Sequence, residues 1–297
     1  MQEERRRKGS SFGDLRGPLR WRAVGEPLFR RTGRIDRCTL AFSIVGGLLV
    51  AITVLALAAI ALPELQDIRH LTEVAADSGV LDSILITFAA GFCAVAVLIV
   101  LGTPLAYLLA RGQSGWKGIL ESIVDMPLIL PHTVAGLMVY ILFMSRGWLG
   151  APLQEVGLAF EDAFPGIVAA MLFVASPYYV NTAREGFEKV PLHLENVART
   201  LGATRFGAFL HVTLPLTLRH IYSGSALAWG RAAGEFAAVV MIAYYPLVVS
   251  TLIYYRFTTG GLAESRSIAF MVIVVSLCIF FLLRHMTRYI GRYHDRV

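Results

Sequence analysis

The sequence predicts an all-α integral membrane protein of about six transmembrane helices. Hydrophobic residues make up 56% of the 297 residues and charged residues only 16%, against roughly 25% charged in an ordinary soluble domain. The mean hydropathy is +0.62. The apolar residues gather in long charge-free runs instead of alternating with polar ones. A water-soluble fold of this size would struggle to cover that much apolar surface, whereas lipid solvates it.

Crossing a hydrocarbon layer of about 30 Å takes roughly 20 apolar residues. No residue between Arg37 and Glu64 is charged, which gives a first span at about 40–62. The stretch between Asp82 and Arg111 is likewise free of charge and gives a second at about 84–110. Met126 to Ser145 gives a third (126–145), entered from a short amphipathic piece at 116–125. Pro165 to Ala183 gives a fourth (165–183), and Ser267 to Leu283 the last (267–283). The fifth is ambiguous, because the apolar stretch Ile221 to Tyr255 exceeds one span and is interrupted by Arg231 and Glu235. It can be one helix followed by a partly buried loop, or a helix that starts after Glu235. Pro246 favours the first, at 221–245, since proline removes a backbone donor and clashes with the preceding turn.

The net charge is +6 and the pI about 9.4. A basic balance can signal nucleic acid or an anionic surface, but here the cations flank apolar segments, so topology is the reading and no nucleic-acid partner is expected. Six spans put both termini on one side. Residues 1–37 carry eleven Lys/Arg, and Arg111, Lys117, the loop 184–220 and the C-terminal tail from Arg284 to Arg296 bring that side to 22. The opposite loops hold only Arg69, Arg146, Arg256 and Arg266. The positive-inside rule then makes both termini and the 184–220 loop cytoplasmic. The 37-residue hydrophilic leader and the apolar run of about 25 residues are too long for a secretory signal, so the first span reads as an uncleaved anchor. Domain boundaries follow: a basic cytoplasmic tail at 1–37 and a membrane domain at 38–297.

Cys38, Cys93 and Cys278 lie far apart with no metal-binding or disulfide spacing, and read as small hydrophobes. No metal site is expected.

The cytoplasmic loop carries the most informative segment, Glu195-Asn196-Val197-Ala198-Arg199-Thr200-Leu201-Gly202-Ala203, followed by His211-Val212-Thr213-Leu214-Pro215. Leu194, Val197, Ala198 and Leu201 share one face at helical spacing. Gly202 breaks that helix, and Leu214-Pro215 starts the return to the membrane. A short helix held at the membrane surface suits docking into a partner's groove.

This segment resembles the EAA loop of binding-protein-dependent ABC importer permeases: Glu-Ala-Ala, three residues, Gly, nine residues, Ile, one residue, Leu-Pro. Counting back from Gly202, those first three positions hold Asn196, Val197 and Ala198; Val212 takes the Ile position, and Leu214-Pro215 match. The glutamate stands one place earlier, at Glu195. Asp125 to Gly136 is similar to the start of the third helix in molybdate, tungstate and sulfate permeases. Trp229-Gly230-Arg231-Ala232-Ala233-Gly234-Glu235-Phe236-Ala237-Ala238 is similar to their Arg-Ala-Leu-Gly-Glu-Phe-Gly-Ala segment. Ile242 to Pro246 is nearest to the archaeal-type tungstate/molybdate branch. The likeness covers roughly residues 80–290.

The resemblance implies a type I ABC importer permease (MetI-like) architecture in the cell membrane, importing tungstate or molybdate, with sulfate or thiosulfate as the alternative cargo. It implies a homodimer bound to two copies of a separate ATPase, with an extracytoplasmic binding protein delivering the anion. Glu195, Asn196, Val197, Ala198, Arg199, Leu201, Gly202, Leu214 and Pro215 would form the coupling segment. ATP and Mg would bind the partner ATPase, and no cofactor is expected in this chain. No G-x-x-x-x-G-K-[ST] phosphate loop is present. H-E-x-x-H is also absent, so no catalytic residue is assigned and an intramembrane enzyme lacks support. An ATPase-independent channel or scaffold is the reading of another class.

Within the membrane, Arg231 and Glu235 are four apart and can pair. A lone charge at mid-bilayer costs about 2.5–3.5 kcal/mol or more, so both should face protein or a water-filled cavity. They can lie at the translocation path or its gate, Arg231 attracting an oxyanion, or form a structural ion pair. Gly230 and Gly234 let helix backbones approach, as near a dimer axis. Pro131, His132, Thr133 and Gly234 join the candidate path residues; the plain alternative for His132 is packing.

Overall fold

The computed structural model describes residues 37–113 and 115–294. The basic tail expected at 1–37 lies outside the described residues but for Arg37, and so does Arg296. The described residues are helical, with no strand among them. The boundary between two compact units falls at Ala56/Leu57, inside the first helix.

In chain order, α1 covers Arg37–Gln66, α2 Ile68–Ala75 and α3 Ser78–Arg111. Then come α4 (Lys117–Ile129), α5 (His132–Phe143), α6 (Gly150–Glu155) and α7 (Phe164–Lys189). Helices α8 (Leu192–Thr200) and α9 (Arg205–Ala208) lead through a π-helical turn at Phe209–Thr213 into α10 (Leu214–Ala233). The chain closes with α11 (Ala237–Ile242), α12 (Val249–Gly260) and α13 (Leu262–His294). By length and composition α1, α3, α7 and α13 can each cross a membrane, and the pair α4–α5, bent by 116°, counts as a fifth where the two pieces are taken as one broken span. Helix α10 occupies the remaining expected position; its 20 residues reach about 30 Å.

Local chemistry sets these boundaries. Asp67 caps α2 by accepting from His70 N (3.1 Å), and Asp77 caps α3 by accepting from Gly79 N (2.8 Å). Pro165 fits the first turn of α7, where its missing N–H is not needed. Pro177 lies inside α7 and leaves the Phe173 carbonyl without its helical donor. Ser176 Oγ donates to that carbonyl at 2.8 Å.

The core is made where α3, α7 and α10 pack on one another. Ala90, Ala94, Ala106, Ala170, Ala175, Ala183, Ala228 and Ala232 are buried there. Such small residues let membrane helices approach closely, so dispersion can replace the hydrophobic drive that lipid removes. Larger groups fill the gaps: Trp229 lies against Phe88 and Phe92, with ring centroids 5.6 and 5.4 Å away. Tyr179, fully buried, keeps its hydroxyl 2.6 Å from Thr103 Oγ1. Helix α12 packs on α3 and α13 through Val80, Val249, Leu252 and Ile268. The first N–H of α12, on Val249, donates to Thr87 Oγ1 at 2.8 Å. Buried Glu64 accepts from Arg266 Nε and Ser267 Oγ, both at 2.6 Å, tying the end of α1 to the start of α13.

Two spans differ from the sequence expectation. For the third, expected at 126–145 after an amphipathic piece, α4 instead continues to Ile129 and the break falls at Leu130-Pro131. Leu130 is extended (φ −71, ψ 140), as a residue before proline prefers, whereas Pro127 is accommodated inside α4. For the fifth, expected at 221–245, the helix begins at Leu214 and ends at Ala233, and α11 and α12 follow as separate pieces. Pro246 does not end it. Glu235 does, by turning its carboxylate to accept from Ala238 N at 2.8 Å and so starting α11. The connection expected at 184–220 is correspondingly shorter, since α7 runs to Lys189 and α10 starts at Leu214.

Candidate functional site

The first candidate site is the segment on α8 that the sequence marks as a coupling segment. The helix starts after Pro191 and is closed by Gly202 at φ +98, a left-handed conformation that favours glycine. Its side chains divide into two sets. Val197 and Leu201 are 52% and 84% exposed, and Leu192 and Phe206 beside them are exposed too. Asn196, Arg199 and Gly202 are also exposed, while Leu194 and Ala198 are half-buried. The apolar face expected over Leu194, Val197, Ala198 and Leu201 is therefore shared between an inward pair and an outward pair. Leu214 and Pro215 sit half-buried at the head of α10.

Glu195 points the other way. It is 7% exposed and lies against the end of α3. Arg111 donates to its Oε1 from Nε (3.0 Å) and Nη2 (2.8 Å), and Tyr107 OH donates to Oε2 (3.0 Å). Arg111 Nη2 also donates to the Val190 carbonyl at 2.8 Å, fixing the turn between α7 and α8. The Tyr107 ring packs edge-on against Phe187 and Phe209. One carboxylate thus ties α8 to the C-terminal end of α3 through a mostly desolvated ion pair. Sequence reasoning missed Tyr107 and Arg111. Their spacing of four on the last turn of an apolar helix was a signal, but their partner is 88 and 84 residues further on.

The second candidate site is the break between α10 and α11. Glu235, 2% exposed, accepts from Arg231 Nη2 at 2.6 Å and from Ala238 N at 2.8 Å, and its carbonyl accepts from Ser250 Oγ at 2.9 Å. Residue 235 therefore fixes the end of α10 and the starts of α11 and α12. His132, at the head of α5, joins the pair: Arg231 Nη2 is 2.9 Å from Nε2 and 3.1 Å from Nδ1, while Nδ1 is 3.8 Å from the Glu235 carboxylate. Helix α5 reaches this point because Gly136 lies on α11; a Cβ there would sit 2.6 Å from the Ala238 carbonyl oxygen and 2.7 Å from its Cα. Pro131, Thr133 and Gly234 are exposed beside the cluster. The structure thus unites His132, Arg231 and Glu235, which the sequence singled out on separate grounds.

The loops at the far end are held by acids. Glu161 accepts from Tyr140 OH, Ser145 N and Ser145 Oγ. These donors, the Ser145 hydroxyl foremost, hold its carboxyl below the usual carboxylate range. Asp162 accepts from Tyr244 N (2.9 Å), bracing the turn that follows α11.

Comparison with known proteins places this geometry. The molybdate/tungstate transport system permease protein WtpB of Thermococcus kodakarensis is 36% identical over 251 residues, covering 84% of this chain and 96% of that protein. That of Pyrococcus furiosus is 38% identical over the same shares. The sulfate transport system permease protein CysT of a Synechocystis species is 30% identical over 70% of this chain and 74% of its own length. Among solved structures, a bacterial ABC transporter importing the acidic polysaccharide alginate aligns with a TM-score of 0.58 at 17% identity, covering 86% of this chain and 99% of that one. The inward-facing MetNI methionine ABC transporter aligns with a TM-score of 0.55 at 17% identity, over 71% and 94%. These two establish the fold. Residues 102–292 match the binding-protein-dependent transport system inner membrane component family, and the chain belongs to that family.

Proposed function

We propose that this chain is the membrane-spanning permease subunit of an ATP-driven importer of the tetrahedral oxyanions molybdate and tungstate. The observation that carries the cargo is the identity, sustained over nearly the whole length of the relatives, to molybdate/tungstate transport permeases. Two copies of the chain would enclose the path. A separate cytoplasmic ATPase would bind ATP and Mg and close on the exposed Val197–Leu201 face of α8, and an extracytoplasmic binding protein would deliver the anion. The chain itself carries no ATPase site in this reading. Alternating access follows if ATPase closure moves α8 and, through Glu195 and Arg111, the end of α3.

A second cargo, sulfate or thiosulfate, is favoured by the more distant sulfate permease relatives. Uptake of labelled tungstate in cells with and without the chain separates the two. The expected result is uptake that disappears with the chain and that molybdate, but not sulfate or phosphate, competes. Unchanged tungstate uptake together with loss of sulfate import would move the cargo to the second reading.

A further inference from the structure

The centre at the α10–α11 break holds an unbalanced set of donors. A guanidinium carries five N–H donors. The Arg231 hydrogen bonds all leave from Nη2, so among the described residues Nε and both N–H groups of Nη1 donate to nothing. The Arg231 side chain is 19% exposed and that of His132 44%, so both can be reached. The neighbouring positions on and just after α10 leave the approach open within the chain: a Cβ at Gly230 would meet nothing within 4 Å, and one at Gly234 only the Gly230 carbonyl oxygen at 3.7 Å. Glu235, in contrast, is fixed at both oxygens, by Ala238 N and by Arg231.

We propose that Arg231, with His132 beside it, is a transient docking point for a tetrahedral oxyanion in transit, and that Glu235 limits how long the anion stays. The inference rests on the cargo class proposed above. Guanidinium N–H groups form short, charge-assisted hydrogen bonds to oxyanions, and away from bulk water the attraction is several-fold stronger than in solution. A site in a conduction path must still let its occupant leave. The Glu235 carboxylate supplies that release, because it neutralises the guanidinium through Nη2 while remaining too firmly held to move into the path. The cluster is an anion site with a built-in counter-charge, not merely a structural ion pair.

The test uses the full complex of this chain, its ATPase and its binding protein in liposomes, and tungstate as the probe. In Glu235→Gln the amide can still accept from Ala238 N, but the counter-charge is gone. Equilibrium tungstate binding to the complex without binding protein is expected to tighten at least tenfold, while maximal uptake falls about fivefold. Arg231→Gln is expected to abolish that binding and to lower uptake at least tenfold. The double variant Arg231→Gln/Glu235→Gln is expected to remain as defective as Arg231→Gln. A structural pair predicts the opposite, recovery in the double variant, and that recovery would overturn the proposal. Unchanged tungstate binding in Glu235→Gln would overturn it independently, even if Arg231→Gln failed to assemble. Wild-type uptake is the separate check on the cargo: if the wild-type complex moves tungstate and the variants match it, only this inference falls.

Discussion

Replacing Glu195 with alanine is expected to separate ATP hydrolysis from transport. The substitution leaves the Arg111 guanidinium, only 17% exposed, without its carboxylate, and Tyr107 OH without its acceptor. Removing one partner of a fully buried pair costs about 3–5 kcal/mol, and an exposed pair contributes about 0–1 kcal/mol. With side-chain exposures of 17% and 9%, this pair belongs nearer the buried limit, at about 2–4 kcal/mol. The loss falls on a single joint, the one between α8 and α3. The exposed face at Val197 and Leu201 is untouched, so the ATPase should still bind and turn over. Its movement should no longer reach α3. The measurement is tungstate imported per ATP hydrolysed in reconstituted complex, expected to drop at least tenfold in Glu195→Ala and less in Glu195→Gln, which keeps an acceptor for Arg111. An unchanged ratio would mean that α8 transmits motion by another route.

Substituting Gly136 with valine is expected to be the most disruptive change at the α5–α11 contact. The added Cβ would stand 2.6 Å from the Ala238 carbonyl oxygen, 2.7 Å from its Cα and 2.9 Å from Met241 Cβ. Two of those atoms are backbone, so no rotamer change relieves the clash. Overpacking of a core typically costs about 1–3 kcal/mol, and a backbone clash belongs at the upper end. At about 2–4 °C per kcal/mol for a chain of this size class, the unfolding midpoint should fall roughly 5–12 °C. Helix α5 would also carry His132 away from Arg231. Gly230→Ala is the matched control, because its Cβ meets nothing within 4 Å inside the chain. A midpoint that falls equally in both variants would contradict the account of Gly136.

The long crossings were legible because hydropathy is one-dimensional: a charge-free run of twenty or more residues leaves little choice, and 40–62, 84–110, 165–183 and 267–283 all fall inside helices. Where the chain breaks was not legible, because tertiary partners decide it. The stretch from Ile221 to Tyr255 looks continuous in sequence, yet it contains the greater part of α10, all of α11 and half of α12. What divides it is Glu235, held by Ala238 N and Ser250, neither of which sequence marks out. Pro131 was visible as a breaker, but the direction of α4 depends on contacts to α7 such as Asn181 Nδ2 to Asp125 Oδ1 at 2.6 Å. At the candidate sites the i, i+4 pair Arg231–Glu235 was legible and the arrival of His132 from 99 residues away was not. The displaced glutamate at 195 was seen, but its meaning needed the helix phase, which turns residue 195 toward α3 while Val197 and Leu201 face outward.

The central claim is that this permease moves its anion only when a separate ATPase drives it. The direct measurement is tungstate accumulation in liposomes that contain the purified chain, its ATPase and its binding protein, each also omitted in turn, with and without ATP. The account predicts accumulation against a gradient that needs all three proteins and hydrolysable ATP. Tungstate equilibrating through liposomes that hold this chain alone, without ATP, would contradict it and make the protein a channel.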